Sequence, residues 1–184
     1  MKNLKQILIA TLFLCFIQTA IRAQQHYFTR EGTMEITMSY HDTVLIASSH
    51  QLMIRLNNET GEIRFSVPYD SFRTGIDSVD TNLLKLTDRW MEFSGNLGIP
   101  YINTTKHPQQ NFDVEGTMLS AVPPVNVKAK GTLVHISSKG PIACELTLKM
   151  QFSLSALNIQ LAFYNANDLI QIYIQHSVLN RVND

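Results

Sequence analysis

The strongest constraint on this chain is a side-chain period of two that recurs from one segment to the next. "TMEITMSY" (33–40) alternates Met34, Ile36, Met38 and Tyr40 with Thr33, Glu35, Thr37 and Ser39. "EIRFSV" (62–67) sets Ile63, Phe65 and Val67 against Glu62, Arg64 and Ser66, and "NFDVEGTM" (111–118) sets Phe112, Val114, Gly116 and Met118 against Asn111, Asp113, Glu115 and Thr117. "IACELTLKM" (142–150) carries Ile142, Cys144, Leu146, Leu148 and Met150 in one phase, and "LIQIYIQH" (169–176) carries Ile170, Ile172 and Ile174. Successive side chains of an extended strand point to opposite faces, so such runs describe antiparallel sheet with one face buried and the other wet. Turn formers join them: "NNETG" (57–61), "SAVPP" (120–124), "SSKGP" (137–141) and "NANDL" (165–169). "NETG" between two strand patterns reads as a hairpin that places Gly61 at positive φ.

One stretch departs from this period. "SVDTNLLKLTDRWMEF" (78–93) places Leu83, Leu84, Leu86, Trp90, Met91 and Phe93 at mixed spacings of three and four, with Ser78 or Asp80 placed to cap its start, which predicts a helix. Its apolar residues need a surface to cover, so the helix is expected across an end or edge of the sheet. "SGNLGIPYINTTKHP" (94–108), rich in loop formers, follows it. No internal repeat or linker divides the chain. The expected fold is all-β with one short helix, its seven to nine strands forming a closed barrel or a sandwich, a choice that periodicity leaves open.

The first 23 residues read as a targeting segment. Lys2 and Lys5 precede an apolar run from Ile7 to Ile17, and "QTAIRA" (18–23) ends in a small residue, the layout of a secretory signal peptide cut after Ala23. The run is shorter than the roughly 20 residues that cross a bilayer, so no stable membrane span is expected. Phe13 and Leu14 do not suit lipid attachment at Cys15, and a buried amino-terminal helix is the alternative reading of the segment. Residues 24–184 are then one domain, with enough chain for a substantial core. The whole chain balances 15 basic against 15 acidic residues; losing Lys2, Lys5 and Arg22 leaves the domain mildly acidic, which invites neither nucleic acid nor an anionic membrane surface. Cys144 is then the one remaining cysteine, so packing and backbone pairing must supply stability. In its alternating strand it reads as a small core residue.

Groups for catalysis are sparse. His26, His41, His50, His107, His135 and His176 are scattered, with no pair at ligand spacing, so no metal or other cofactor is expected. Asp77 and Asp80 read as caps or first-turn charges of the helix. Asp113 and Glu115 share one face of one strand and read as a solvated edge rather than an acid and base pair. No serine sits in a nucleophile elbow, and no glycine-rich phosphate loop is present. The expectation is a protein that is not an enzyme.

Three segments resemble a known family. "ASSHQLMIRLNNETGEIRFSVPYDSF" (47–72) is similar to the early hairpin of YceI-like domains, with its glycine-closed turn, Val-Pro step and Ser-Phe pair. "TKHPQQNFDVEGTM" (105–118) resembles the family's lysine and proline step before a phenylalanine-bearing strand, and "VKAKGTLVHISSKGPIACEL" (127–146) its Gly-x-Leu-x-Ile strand and lysine turn. The matches follow the family's order and cover most of residues 30–176. Two departures stand out: Ser137 where the family carries glycine, and "LLKLTDRWMEF" (83–93) in place of its helical segment. The resemblance implies a lipocalin-like antiparallel barrel of about eight strands that encloses a long apolar lipid, such as a polyisoprenoid or a quinone, in the periplasm or as a secreted protein. A homodimer is left open.

The inner wall expected for such a barrel comprises Met34, Ile36, Met38, Leu52, Ile54, Leu56, Ile63, Phe65, Phe112, Val114, Met118, Leu146, Leu148, Ile172 and Ile174. Barrels of this size either fill their interior with side chains or leave room for one ligand. Gly116 and Gly131 are read as making space or allowing a bend in a strand, and Met34, Met38 and Met118 as an adaptable wall, though methionine fills ordinary cores equally well. Burying about 20 methylenes yields on the order of 16 kcal/mol, which exceeds association costs of about 4 to 15 kcal/mol, so a carrier would need no charged anchor. The other reading is a ligand-free interaction domain of the cell envelope. Val134 and Ile136 stand out of phase with Leu133, so a one-residue slip would exchange wall for outer surface.

Overall fold

The alternating runs become eight strands that pair in chain order and close on themselves: β1 (Gln25–Tyr40), β2 (Thr43–Asn57), β3 (Glu62–Pro68), β4 (Trp90–Asn96), β5 (Gln110–Met118), β6 (Val125–Ile136), β7 (Ala143–Ser153) and β8 (Ala166–Asn183). Every pairing is antiparallel, and β1 bonds β2 on one side and β8 on the other, so the sheet has no free edge. The computed structural model describes residues 25–40, 43–99, 108–136, 143–157 and 166–183. The segment read as a signal peptide lies outside the described residues, as do His41, His107, Ile142 and the turn 137–141. No helix among the described residues is long and apolar enough to cross a membrane.

Inward side chains form one continuous core. Met34, Leu52, Ile54, Ile63, Val114, Met118, Leu146, Leu148 and Ile174 are fully buried, and Ile36, Met38, Phe65, Phe112 and Ile172 nearly so. Every residue expected on the inner wall therefore points inward, Leu56 included. On β6, Leu133 faces the core while Val134 and Ile136 are half-buried, which fixes the phase that the sequence left open.

The phase of three strands slips at one level of the barrel. The β1–β2 register shifts around Gly32, and the β7–β8 register shifts opposite His176, whose φ is 34°. Below the slip Tyr27 faces inward, above it Met34, Ile36 and Met38; β8 changes from Ile170, Ile172 and Ile174 to Ser177 and Leu179. Bulges of this kind bend strands, and a Cβ on Gly32 would lie 2.9 Å from the Ser177 hydroxyl, so glycine permits the close crossing.

The predicted helix is shorter than its pattern. Helix α1 spans Asp77–Leu84, and residues 90–93 belong to β4. Asp88 adopts φ 61°, which ends helical continuity, and Met91 and Phe93 then pair with Val67 and Phe65 of β3. Sheet pairing overrides a helical spacing that was partly accidental. Neither Ser78 nor Asp80 caps the helix: Ile76 occupies the N-cap with no side-chain bond, while Asp77 and Asp80 are the first-turn charges expected and Asp80 reaches backwards. Gly61 takes φ 70° at the β2–β3 hairpin as expected.

Candidate functional site

The ends of four strands converge beneath α1. Ile36 and Met38 come from the end of β1, Leu45 and Ala47 from the start of β2, Met91 from β4 and Ile170 from β8. The connections add Tyr69 and Phe72 after β3, Val79 and Leu83 from α1, and Leu154 and Leu157 after β7. With Thr74 they line a partly open cavity of about 30 Å³ into which no polar atom of the described residues faces. Larger hollows lie on the outer surface among charged side chains such as Asp113, Lys130 and Lys149. A cavity of that volume holds about one water, and apolar cavities of this kind stay dry.

Segment 69–89 closes this end as a strap. The Tyr69 N–H donates to the Arg89 carbonyl at 3.0 Å, joining the two feet of the excursion. A two-way backbone bridge ties Arg73 to Ser48 of β2 at 2.8 and 2.9 Å. The Ser71 hydroxyl donates to the Pro68 carbonyl, so the buried Ser49 hydroxyl, 2.6 Å away, donates to Ser71. Beyond Gly75, whose φ is 77° and around which nothing lies within 4 Å of a Cβ position, α1 begins. The Asp80 carboxylate accepts the Thr74 N–H at 2.8 Å, the Thr74 hydroxyl at 2.7 Å and the Gly75 N–H at 3.2 Å. Burial pushes this carboxyl up, but those hydrogen bonds and the Arg73 charge outweigh it and hold it below its ordinary value. Helix α1 buries only Val79 and Leu83, a small anchor for a segment so placed.

Tyr69 is the amphipathic member of the lining. Burial, the dominant influence, raises its phenol above the ordinary value, with Ser120 and Arg89 pulling the other way and Glu92 adding to the rise. The Arg89 guanidinium lies 5.8 Å from the ring centroid. The phenol is therefore a neutral hydroxyl at physiological pH.

Below this end the interior is filled. Phe65 stacks on Phe93 with ring centroids 4.9 Å apart and planes at 14°. A Cβ on Gly95 would lie 2.7 Å from the Phe93 ring, one on Gly116 would strike that ring and the Ser94 carbonyl, and one on Gly131 would lie 2.7 Å from the Phe112 ring. The space that Gly116 and Gly131 leave is taken by the Phe93 and Phe112 rings. Of the fourteen residues Met34, Ile36, Met38, Leu52, Ile54, Ile63, Phe65, Phe112, Val114, Met118, Leu146, Leu148, Ile172 and Ile174, only Ile36 and Met38 line the end cavity. The others pack in the barrel core. Leu45, Tyr69, Phe72, Leu154 and Leu157 were missed, because they lie in connections or at strand ends where alternation gives no signal.

The remaining polar residues are dispersed. His50 Nδ1 lies 3.0 Å from the Thr33 hydroxyl, His176 bonds Glu145, and His135 stands across from Cys144 on the neighbouring strand. Glu115 pairs with Lys128 at 2.9 Å on the outer face, where Asp113 is also exposed. Among the described residues no group of three or more His, Cys, Asp or Glu side chains is arranged to hold a metal ion.

No protein-family model and no curated protein matches the chain. Solved structures do. A polyisoprenoid binding domain from Saccharophagus degradans, implicated in plant cell wall breakdown, superposes with a TM-score of 0.64 at 9% identity, covering 89% of this chain and 100% of that one. BcnA from Burkholderia cenocepacia superposes with a TM-score of 0.55 at 12% identity, covering 80% of this chain and 94% of that one. The chain shares the closed antiparallel barrel fold of these two structures, the fold that its resemblance to YceI-like domains implied.

Proposed function

We propose that this protein is an exported carrier that binds one long apolar chain, of isoprenoid or fatty type, inside the barrel at the α1 end. The observation that carries this reading is a cavity under a lightly anchored helix into which the described residues turn only apolar atoms. Its likeness in fold to a polyisoprenoid binding domain supports the choice of ligand class, and the layout of residues 1–23 supports export. A chain of about 20 methylenes does not enter the cavity at its present volume, so loading requires α1 to lift and the flexible Met38 and Met91 side chains to repack. The work of the protein on this reading is binding, with no chemical step.

A second reading has its own observation. The barrel below the cavity is filled by Phe65, Phe93 and Phe112, which suits a ligand-free envelope domain. Native mass spectrometry of protein isolated without detergent, followed by solvent extraction, separates the two. A stoichiometric extra mass that extracts as an isoprenoid, quinone or fatty chain is expected of the carrier. A bare polypeptide that takes up none of these on incubation would overturn it.

A further inference from the structure

The end that carries α1 is also where the chain leaves its apolar side chains in water. Nine large apolar side chains are exposed among the described residues, and all but Val178 belong to this end. Val44, 64% exposed, and Ile46 stand near the start of β2, Trp90 opens β4, and Leu169 lies near the start of β8. Leu119 and Val122, the latter 70% exposed, follow β5 in its connection to β6. Ile76 precedes α1 and Leu84 ends it, both exposed, while Val79 and Leu83 line the cavity, so this segment turns apolar side chains to the barrel and, beside Asp77 and Lys85, to the solvent. Single exposed apolar residues are ordinary on a protein surface; their concentration around an apolar cavity marks a surface that meets a partner.

We infer that this rim docks on a zwitterionic phospholipid bilayer, so that an apolar chain passes between bilayer and barrel without entering water. The inference rests on the carrier reading and names the phase from which the cargo comes. The exposed residues derive from separate parts of the chain set around one end, which suits a flat surface better than an extended peptide. An apolar chain released to water would forfeit most of the hydrophobic gain of binding, whereas direct contact with a bilayer avoids that loss. Trp90 is an amphipathic residue of the kind that favours the headgroup region.

Charge decides which bilayer. Segment 69–92 carries Asp70, Asp77, Asp80, Asp88 and Glu92 against Arg73, Lys85 and Arg89. The Arg73 guanidinium is engaged with the Asp70 and Phe72 carbonyls, and that of Arg89 lies over Tyr69. The excess of carboxylates disfavours an anionic surface and complements the outward ammonium groups of phosphatidylethanolamine and phosphatidylcholine. Docking of this kind is driven by apolar contact and resists salt.

Trp90 is the only tryptophan of the chain, so its fluorescence reports directly on the rim. With the protein as isolated from cells and vesicles of phosphatidylethanolamine and phosphatidylcholine, the expected result is a blue-shifted emission and flotation with the vesicles, both retained in high salt. Leu119→Glu and Val122→Glu are expected to weaken vesicle binding about tenfold or more while leaving the circular dichroism melt and the cargo mass unchanged. Absence of both shift and flotation would overturn the inference, as would binding confined to phosphatidylglycerol vesicles and abolished by salt. Cargo-bearing protein that ignores vesicles removes the docking surface and leaves the carrier reading standing. Vesicle binding by a protein that never takes up a chain keeps the docking surface and removes the carrier reading.

Discussion

Gly116 faces Gly95 across the β4–β5 seam, and the Phe93 ring lies over both. A methyl group at Gly116 meets that ring, the Ser94 carbonyl and the Gly95 backbone at once, and neither backbone atom is free to step aside. Gly116→Ala is therefore expected to lower stability by about 1 to 3 kcal/mol, measured as a lower urea midpoint with an unchanged slope. A wild-type midpoint would show that the seam relaxes at no cost. Cys144 presents the opposite case, a side chain with complete cover. Burial pushes its thiol up to about 12, so the thiolate that reacts with alkylating agents is almost absent at pH 8. Native protein is expected to stay unlabelled by iodoacetamide at that pH and to label promptly in denaturant; rapid native labelling would place the thiol within reach of solvent.

At the scale of the element, α1 is held from outside more than from within. Two buried side chains, Val79 and Leu83, fix it to the barrel, while Asp80 fixes its approach through three hydrogen bonds at Thr74 and Gly75. The folded carboxyl titrates below its ordinary value of 3.8, so the folded state binds this proton less tightly than the unfolded chain. Its contribution is fully present above pH 3.8 and is lost as pH falls through the depressed value. Asp80→Asn is expected to lower stability at pH 7 by about 1 kcal/mol, since water screens part of the interaction, and to speed amide exchange at Thr74 and Gly75. The difference between variant and wild type should vanish in strong acid; a gap that persists there would assign the effect to packing. What the sequence made legible follows the same division. Runs with constant phase, such as Phe112 to Met118, were readable as strands with their inner face assigned. Residues 25–32 of β1 and the end of β8 were not, because the bulges at Gly32 and His176 reverse the phase within a strand. Met91 and Phe93 were misassigned to a helix because only pairing with β3 reveals their strand.

For the whole molecule, closure makes every seam matter, and the seams are unequal. β1 bonds β2 from His26 to Tyr40 and β8 from Gln25 to Tyr40, the longest pairings of the barrel. β4 and β5 pair only from Phe93 to Asn96 against Met118 to Glu115, with Gly95 opposite Gly116 at the centre. β2 and β3 pair over as short a stretch, Met53 to Leu56 against Ser66 to Ile63. But glycine adds no side-chain contact and loses the most backbone freedom on folding, so the β4–β5 seam is the weaker of the two short ones. Opening of the barrel should therefore begin there. Native-state hydrogen exchange is expected to find the amides of Ser94, Gly95 and Gly116 exchanging through a local opening of lower free energy than those of Ile36 and Ile172 in the β1–β8 seam. A uniform exchange free energy around the barrel would mean that closure makes all eight strands a single cooperative unit. In that case the proposed apolar ligand would have to enter past α1 rather than between strands, since parting any seam would then require unfolding the whole sheet.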